Sequence, residues 1–281
     1  MITFAPGGNS ESFGKRKFPE QLPKYLSGLG LNGYEVECGR GVRITDRTYE
    51  LLPKLAAENG IYLTLHAPYY ISLSGIEEET RLKSVGYILE SAKAAHRLGI
   101  RKIVVHSGSC AKITREEATA LAKDTLTKAQ RALDEEGLSE IILCPETMGK
   151  INQLGTLSEV LELCTADERF LPCVDFGHLN ARTHGSIKSE ADYAAILDEI
   201  EDKLGYDRLK RFHVHFSKIM YTTGGEKMHL TFADTEYGPQ YEPLMEQFAK
   251  RGLEPSVVCE SAGTQAEDAS EMKKYYEGLI K

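Results

Sequence analysis

Residues 61–106, IYLTLHAPYYISLSGIEEETRLKSVGYILESAKAAHRLGIRKIVVH, contain two short apolar runs separated by one long helical pattern. The first run ends at His66 and the second ends at His106. Between them, apolar residues recur at helical spacing over 77–98, and Gly99 ends this pattern. A strand, a helix and a second strand in this order form the βαβ unit that is typical of a parallel sheet.

The same alternation of apolar run and helical pattern is repeated along the whole chain. The eight predicted strands lie at 2–4, 34–37, 61–66, 103–106, 141–144, 171–174, 209–213 and 256–259. The eight predicted helices lie at 19–29, 46–59, 77–98, 114–136, 157–165, 191–204, 241–250 and 266–280. Eight strands alternating with eight helices predict an α/β fold, a closed (β/α)8 TIM barrel that forms one domain over residues 1–281.

An open, doubly wound sheet is the competing architecture. It would favour a glycine-rich phosphate-binding loop with GxGxxG spacing after an early strand. Gly7-Gly8-Asn9 follows the first predicted strand but does not complete this spacing. The closed barrel is therefore the better interpretation.

The composition is that of an ordinary globular protein, with 41% hydrophobic and 27% charged residues. No stretch approaches the roughly 18 apolar residues of a membrane span, and the first residues lack the pattern of a secretory leader. The six cysteines show no CxxC spacing, which favours free thiols in a reducing compartment. We therefore expect a cytoplasmic protein with no membrane partner, acting as a monomer.

The formal net charge of -8 argues against nucleic-acid binding through bulk electrostatics. It does not exclude a local basic patch. Carboxylates that bind metal ions would also add formal negative charge, which the bound cations would offset. A DNA substrate therefore remains compatible with the charge.

Six of the predicted strands end in, or lead directly to, an acid or a histidine. These residues are His66, His106, Glu146, Asp175, His213 and Glu260. Taken singly, each is more often a satisfied structural side chain or a solvated loop charge. Barrel strands converge, however, and two like charges about 4 Å apart repel by about 4 kcal/mol at an effective dielectric of 20. Divalent metal ions would remove this repulsion, so the pattern predicts a metal site at the mouth of the barrel.

Two further histidines extend this set of candidate ligands. His178 lies three residues after Asp175, and His229 lies in the loop after the seventh predicted strand. Eight candidate ligands exceed what a single catalytic zinc uses, which predicts a cluster of two or three ions. Mixed histidine and carboxylate ligands suit Zn2+, Mn2+ or Fe2+. Glu146 can bridge two ions because its carboxylate has two oxygens.

Short motifs at these positions resemble endonuclease IV, a family of metal-dependent apurinic/apyrimidinic endonucleases within the xylose-isomerase-like barrel superfamily. The resemblance covers nearly the whole chain. The motifs are His66-Ala-Pro-Tyr69, His106-Ser-Gly-Ser109, Pro145-Glu146-Thr147, Asp175-Phe-Gly-His178, His213-Val-His215-Phe-Ser-Lys218 and Cys259-Glu260-Ser261. Each motif is weak alone, but together they are specific.

The resemblance implies a base-excision-repair enzyme that hydrolyses the phosphodiester 5′ to an abasic site in duplex DNA. It implies that Glu146 is the catalytic residue that orients or deprotonates the attacking water. It also implies three zinc sites. The first set is His66, His106 and Glu146; the second is Glu146, Asp175, His213 and Glu260; the third is His178, His229 and an aspartate.

The third implied zinc site departs from the family pattern. Lys227 stands where the family has the aspartate, two residues before His229. Glu226 could replace it only if the loop were rearranged by one residue. We therefore expect a complete pair of ions and a third site that is weak or absent.

Three residues near the predicted mouth are implied to bind the substrate. Tyr69 and Tyr70 stand where the family inserts side chains into the duplex, and Arg40 lies in the loop after the second strand. Arg40 would contact phosphate. The competing interpretation is that the tyrosines pack on the rim of the barrel.

Two other functions remain open. One is a sugar isomerase or epimerase of the same superfamily, which would bind a small polyol in a closed mouth, whereas a nuclease needs a mouth open to bent duplex. The other is a barrel that binds metal or abasic DNA but has lost catalysis because of Lys227. An assay for incision of abasic DNA distinguishes the nuclease from both of these alternatives.

Overall fold

The computed structural model describes residues 1–280, and Lys281, the last residue of the predicted domain, lies outside the described residues. Ten strands are present: β1 (Thr3–Pro6), β2 (Gly33–Glu37), β3 (Tyr62–His66), β4 (Lys102–His106), β5 (Ile142–Glu146), β6 (Cys173–Asp175), β7 (His213–Phe216), β8 (Ile219–Thr222), β9 (Gly225–His229) and β10 (Ser256–Cys259). Eight of them form one sheet in the order β1-β10-β7-β6-β5-β4-β3-β2. A parallel bridge between Gly7 and Glu35 brings β1 beside β2. The predicted TIM barrel is therefore confirmed.

Within residues 1–280, ten α-helices accompany these strands. They are α1 (Leu22–Gly28), α2 (Asp46–Asn59), α3 (Glu78–Arg97), α4 (Arg115–Glu135), α5 (Leu157–Cys164), α6 (Phe176–Arg182), α7 (Glu190–Leu204), α8 (Tyr206–Lys210), α9 (Glu242–Arg251) and α10 (Gln265–Leu279). Thr114 and Glu117 form the capping box that predicted the start of α4. Over residues 1–280, no helix is long and apolar enough to cross a membrane.

Two separate cores hold the barrel together. The larger core fills the space between the sheet and the helices, where apolar faces of the helices cover apolar residues of the strands. A small second core lies inside the barrel and consists of Val104, Cys144, Leu171 and Cys173. Because the barrel interior is packed with side chains, the functional groups are confined to the end of the barrel where the strands finish.

The predicted seventh strand was wrong. Residues 206–210 form the short helix α8, and the strand β7 begins at His213, where the predicted strand ended. A short apolar run such as Leu209 and its neighbours does not distinguish a strand from a buried turn of helix. The long connection after β7 also contains the antiparallel hairpin β8–β9, which the sequence pattern did not predict.

Candidate metal centre

The parallel register of the barrel brings the predicted strand-end residues to one mouth. His106 lies beside Glu146 in the pairing of β4 with β5. Asp175 lies beside His215 in the pairing of β6 with β7. Glu260 directly follows β10. The carboxyl ends of the strands are where TIM barrels carry their functional groups.

Glu146 lies at the centre of this group and is almost completely buried. Its Oε2 lies 3.4 Å from His66 Nε2 and 3.2 Å from His106 Nε2. Its Oε1 lies 3.1 Å from His215 Nδ1 and 3.5 Å from His178 Nδ1. The two oxygens therefore face two different sets of imidazoles, which is the geometry that a bridging carboxylate needs.

His215, and not His213, lies beside Glu146 and Glu260. The Nδ1 of His215 is 3.4 Å from Glu260 Oε1, and ligand atoms of Glu146, Asp175, His215 and Glu260 all lie within 4.8 Å of one another. The predicted place of His213 in this set was wrong because β7 starts at His213 instead of ending there. Side chains alternate along a strand, so His213 and His215 share the inner face and His215 is nearer the mouth.

A second cluster contains His178, Glu226 and His229, whose ligand atoms also lie within 4.8 Å of one another. Asp175 caps α6 by accepting a hydrogen bond from the backbone N–H of His178 at 2.8 Å, which sets His178 one turn into the helix. The hairpin β8–β9 brings Glu226 Oε2 to 3.4 Å from His178 Nε2. Lys227 is exposed, and Glu226 occupies the place of the acid. Glu226, and not Lys227, therefore lies within reach of His178 and His229.

Three of these imidazoles are oriented by the protein through Nδ1. His66 contacts the carbonyl oxygen of Ala67 at 2.8 Å, and His178 contacts that of Thr147 at 2.9 Å. His229 Nδ1 lies 2.8 Å from the hydroxyl of Ser217. Such contacts fix the ring and leave Nε2 free to bind a metal ion, which is the usual arrangement behind ligating histidines.

Burial and the neighbouring charges shift the pKa values of the groups in the centre. Burial opposes protonation of His66, but the carboxylates of Glu146 and Glu37 outweigh it and raise the pKa of His66 to about 10. Burial favours the neutral acid at Glu146, yet the surrounding histidines hold the pKa of Glu146 well below its ordinary value. Burial also raises the pKa of Glu260 to about 8. The centre thus attracts positive charge, which protons or metal ions can provide.

Two buried carboxylate oxygens fit this requirement for a cation. Glu146 Oε2 and Asp175 Oδ2 have no hydrogen-bond partner within residues 1–280, although imidazole nitrogens lie 3.2–3.4 Å away from them. At Glu146 Oε2, the Nε2 atoms of His66 and His106 therefore converge on the oxygen without a hydrogen bond, as ligands of a common ion do. An orphaned buried carboxylate is costly, so the donor set fits divalent metal ions such as Zn2+, Mn2+ or Fe2+.

A cavity of about 330 Å³ opens above the centre. Besides the candidate ligands, Glu37, Tyr69 and Lys150 line it. Tyr69 is 60% exposed at the rim, whereas Tyr70 packs edge-on against Tyr87 with ring centroids 4.8 Å apart. Arg40 lies on the neighbouring loop, outside the lining of the cavity. The structure thus brings Tyr69 to the site and leaves Arg40 and Tyr70 at its margin.

Three residues of this region escaped the sequence-based assignment of ligands. They are Glu35, Glu37 and His215. The signal for the first two was present, because acids at alternate positions of an apolar strand must share one face. Glu226 was considered only as a substitute for the missing aspartate, because its position depends on how the hairpin folds.

Comparison with known sequences identifies relatives of the chain. A family model described as "Xylose isomerase-like TIM barrel" matches residues 23–278. An uncharacterized protein of Methanocaldococcus jannaschii is 32% identical over 254 residues, which cover 90% of each chain. A probable endonuclease 4 of Mycoplasma pneumoniae is 30% identical over 161 residues, covering 56% of this chain and 53% of that protein. The chain thus spans about half the length of this endonuclease relative.

Solved structures share the fold over almost the entire chain. A D-tagatose 3-epimerase-like protein superposes with a TM-score of 0.72 and 17% identity, covering 99% of this chain and 98% of that chain. Endonuclease IV from Thermus thermophilus superposes with a TM-score of 0.63 and 20% identity, covering 99% of this chain and 97% of that chain. At these identities the likeness shows the barrel alone.

Proposed function

Because the chain belongs to the xylose isomerase-like TIM barrel family, we propose that it is a metal-dependent hydrolase that cuts the phosphodiester 5′ to abasic sites in duplex DNA. The observation that carries the proposal is the cluster of His178, Glu226 and His229 beside the Glu146 group. A sugar isomerase with one or two metal ions has no need for these additional ligands. The similarity to a probable endonuclease 4 supports the same activity.

Three ligand sets would hold the ions of this enzyme. They are His66, His106 and Glu146; Glu146, Asp175, His215 and Glu260; and His178, Glu226 and His229. When bound, the ions supply positive charge that stabilises the phosphoryl group during its transfer. Glu146 would accept a proton from, or orient, the attacking water, since its two oxygens lie between the sets.

The rim would hold the damaged duplex. The exposed ring of Tyr69 offers a surface on which a base beside the abasic site can stack. Lys150 lines the cavity and, with Arg40 on the neighbouring loop, offers positive charge to the phosphate backbone. These local contacts would compensate for the negative net charge of the chain.

The direct test is incision of a duplex oligonucleotide that carries one tetrahydrofuran abasic analogue. Purified protein supplied with Zn2+ or Mn2+ should cut 5′ to the analogue, and EDTA should abolish cutting. The same duplex without the analogue is the control for nonspecific nuclease. No cutting by folded protein with its full metal content would reject the proposal.

A sugar isomerase or epimerase is the second candidate, and the size of the cavity favours it. A volume of about 330 Å³ accommodates a monosaccharide. Glu37 lines this cavity and could exchange a proton with a bound sugar. Incubation of ketoses with the metal-loaded protein in D2O tests this function, because epimerisation would incorporate deuterium at the reacting carbon. Deuterium incorporation without DNA incision would favour the sugar enzyme.

A further inference from the structure

A buried carboxylate lies directly beneath the metal centre. Glu35, in β2, has no solvent-exposed surface. Its Oε1 lies 2.9 Å from His215 Nε2, and its Oε2 lies 3.0 Å from His213 Nε2. Thr64 donates its hydroxyl hydrogen to the same carboxylate at 2.7 Å. Because a buried carboxylate needs donors, these neighbours are the groups that keep Glu35 ionised inside the barrel.

The two ring nitrogens of His215 face different surroundings. Nδ1 faces the mouth, 3.1 Å from Glu146 Oε1 and 3.4 Å from Glu260 Oε1. Nε2 faces the interior and lies 2.9 Å from Glu35 Oε1, a buried oxygen without a well-aligned hydrogen-bond donor in residues 1–280. An ionised carboxylate only accepts hydrogen bonds, and a neutral imidazole donates through one nitrogen and accepts through the other. Both nitrogens of His215 thus face carboxylates. With Glu146 and Glu260 engaged by the ions proposed for the mouth, the proton of a neutral His215 belongs on Nε2, and the lone pair of Nδ1 points to the metal centre.

On the basis of the metal centre proposed above, we propose that Glu35 is a positioning residue that holds the proton of His215 on Nε2 and so makes Nδ1 the metal-binding nitrogen. The partners behind His66, His178 and His229 are neutral carbonyl or hydroxyl groups. A carboxylate behind His215 also makes the imidazole a stronger electron donor to a metal ion.

His213 takes part in the same network without reaching the mouth. Its Nε2 lies 3.2 Å from His215 Nε2 because both rings reach the same carboxylate. A neutral His213 protonated on Nε2 donates to Glu35 and completes the set of donors around that carboxylate.

A different arrangement has to be excluded by experiment. Ligand atoms of Cys173, His213 and His215 lie within 4.8 Å of one another. If these three residues held an ion inside the barrel, the Nε2 of His215 would be a ligand and would carry no proton. Whether His215 Nε2 carries a proton or binds an ion therefore distinguishes the two arrangements.

The first experiment is NMR of the zinc-loaded protein labelled with 15N in its eight histidines. We expect His215 to show a proton on Nε2 and a metal-shifted Nδ1, and a His213→Asn variant assists the assignment. A proton on Nδ1, or zinc bound to Nε2, would overturn the role of Glu35. This measurement does not depend on the folding of a Glu35 variant or on any catalytic activity.

The second experiment measures zinc affinity. Glu35→Gln should weaken the binding of the ion held by His215 by about 10- to 100-fold, because the amide no longer favours protonation at Nε2. Thr125→Val is the control: it removes a buried hydroxyl of α4 that donates to the carbonyl oxygens of Leu73 and Leu121, and it should retain wild-type affinity. Unchanged affinity in folded Glu35→Gln would overturn the inference.

Failure of the metal centre itself gives a different result. If the wild-type protein binds no zinc at all, the proposed function and this inference are both rejected. If the wild type binds zinc through Nδ1 of His215 and cuts no DNA, Glu35 keeps its role and only the nuclease is rejected. The two proposals therefore fail separately.

Discussion

The two clusters at the mouth are built by different parts of the fold. The residues around Glu146 stand at the ends of barrel strands, where backbone pairing of neighbouring strands sets their positions. The cluster of His178, Glu226 and His229 combines a short helix with the hairpin β8–β9, which pairs with no strand of the barrel. The first set depends on the barrel, and the second depends on how one loop packs on another.

The hairpin approaches the loop after β5 closely at Gly149. The N–H of Glu226 donates to the carbonyl oxygen of Gly149 at 3.0 Å. A Cβ atom at Gly149 would lie 2.6 Å from the Cβ of Glu226 and 2.9 Å from the Cδ2 of His178. Only glycine therefore allows the loop after β5 to approach the hairpin closely enough to form the second cluster.

The largest effect is expected at Glu146, which the two ligand sets at the strand ends share. Glu146→Gln should lower the incision rate by about 10³-fold or more, because an amide cannot bridge two ions as a carboxylate does. Zinc content by mass spectrometry and the rate of cutting of abasic duplex measure this effect. Glu226→Gln is the matched control and should lose only the ion of the hairpin cluster. Full activity of Glu146→Gln would remove Glu146 from the mechanism.

A substitution that keeps every candidate ligand can test whether the two clusters bind metal ions independently. Gly149→Ala should displace the hairpin and weaken metal binding at His178, Glu226 and His229 by about 10- to 100-fold, with the strand-borne ions retained. Metal titration with the number of bound ions counted is the measurement. Gly86→Ala, at a helical position where a Cβ meets nothing within 4 Å, is the control. Loss of all ions in Gly149→Ala would mean that the clusters are not independent.

Removal of a buried charge from the barrel interior should raise the free energy of unfolding of the protein. Lys102 is buried and donates to the carbonyl oxygen of Arg211 at 2.7 Å and to the hydroxyl of Ser256 at 3.0 Å, with burial lowering its pKa to about 8. Below pH 8 the folded protein carries a buried charge at this position. Lys102→Met should therefore raise the free energy of unfolding by about 1–3 kcal/mol at pH 7.

The increase in the free energy of unfolding caused by Lys102→Met should depend on pH. The pKa of Lys102 is lower in the folded protein than the ordinary 10.5, so the unfolded chain binds more protons between about pH 8 and that value. The gain from Lys102→Met should be largest below pH 8 and decline as the pH rises towards 10.5. Urea unfolding of both proteins across this range is the measurement. A gain that is constant with pH would assign the effect to packing alone.

The smallest effect is expected at the rim. Tyr69→Ala should weaken binding of abasic duplex by about 1 kcal/mol, the lower end for stacking of a base on an aromatic ring, with little change in turnover. Tyr206→Ala, which removes an exposed tyrosine from α8, is the control. Fluorescence anisotropy and the separation of KM from kcat measure the difference. Equal loss in the two variants would show that Tyr69 has no special contact with DNA.

The barrel and most of the strand-borne candidate ligands could be predicted from the sequence. Apolar runs alternating with helical patterns specify βα units, and parallel strands bring their carboxyl ends to one mouth. His66, His106, Glu146, Asp175 and Glu260 meet there for that reason. Their positions follow from local periodicity, which the sequence carries directly.

Only the tertiary structure decided which histidine of β7 faces the centre and which acid joins His178 and His229. Residues 209–213, Leu-Lys-Arg-Phe-His, are compatible with a strand or a turn of helix, so the start of β7 depends on its pairing with β6 and β10. Glu226 reaches its cluster through a hairpin docked at Gly149. Both features depend on contacts between residues far apart in the chain, and local periodicity contains no information about such contacts.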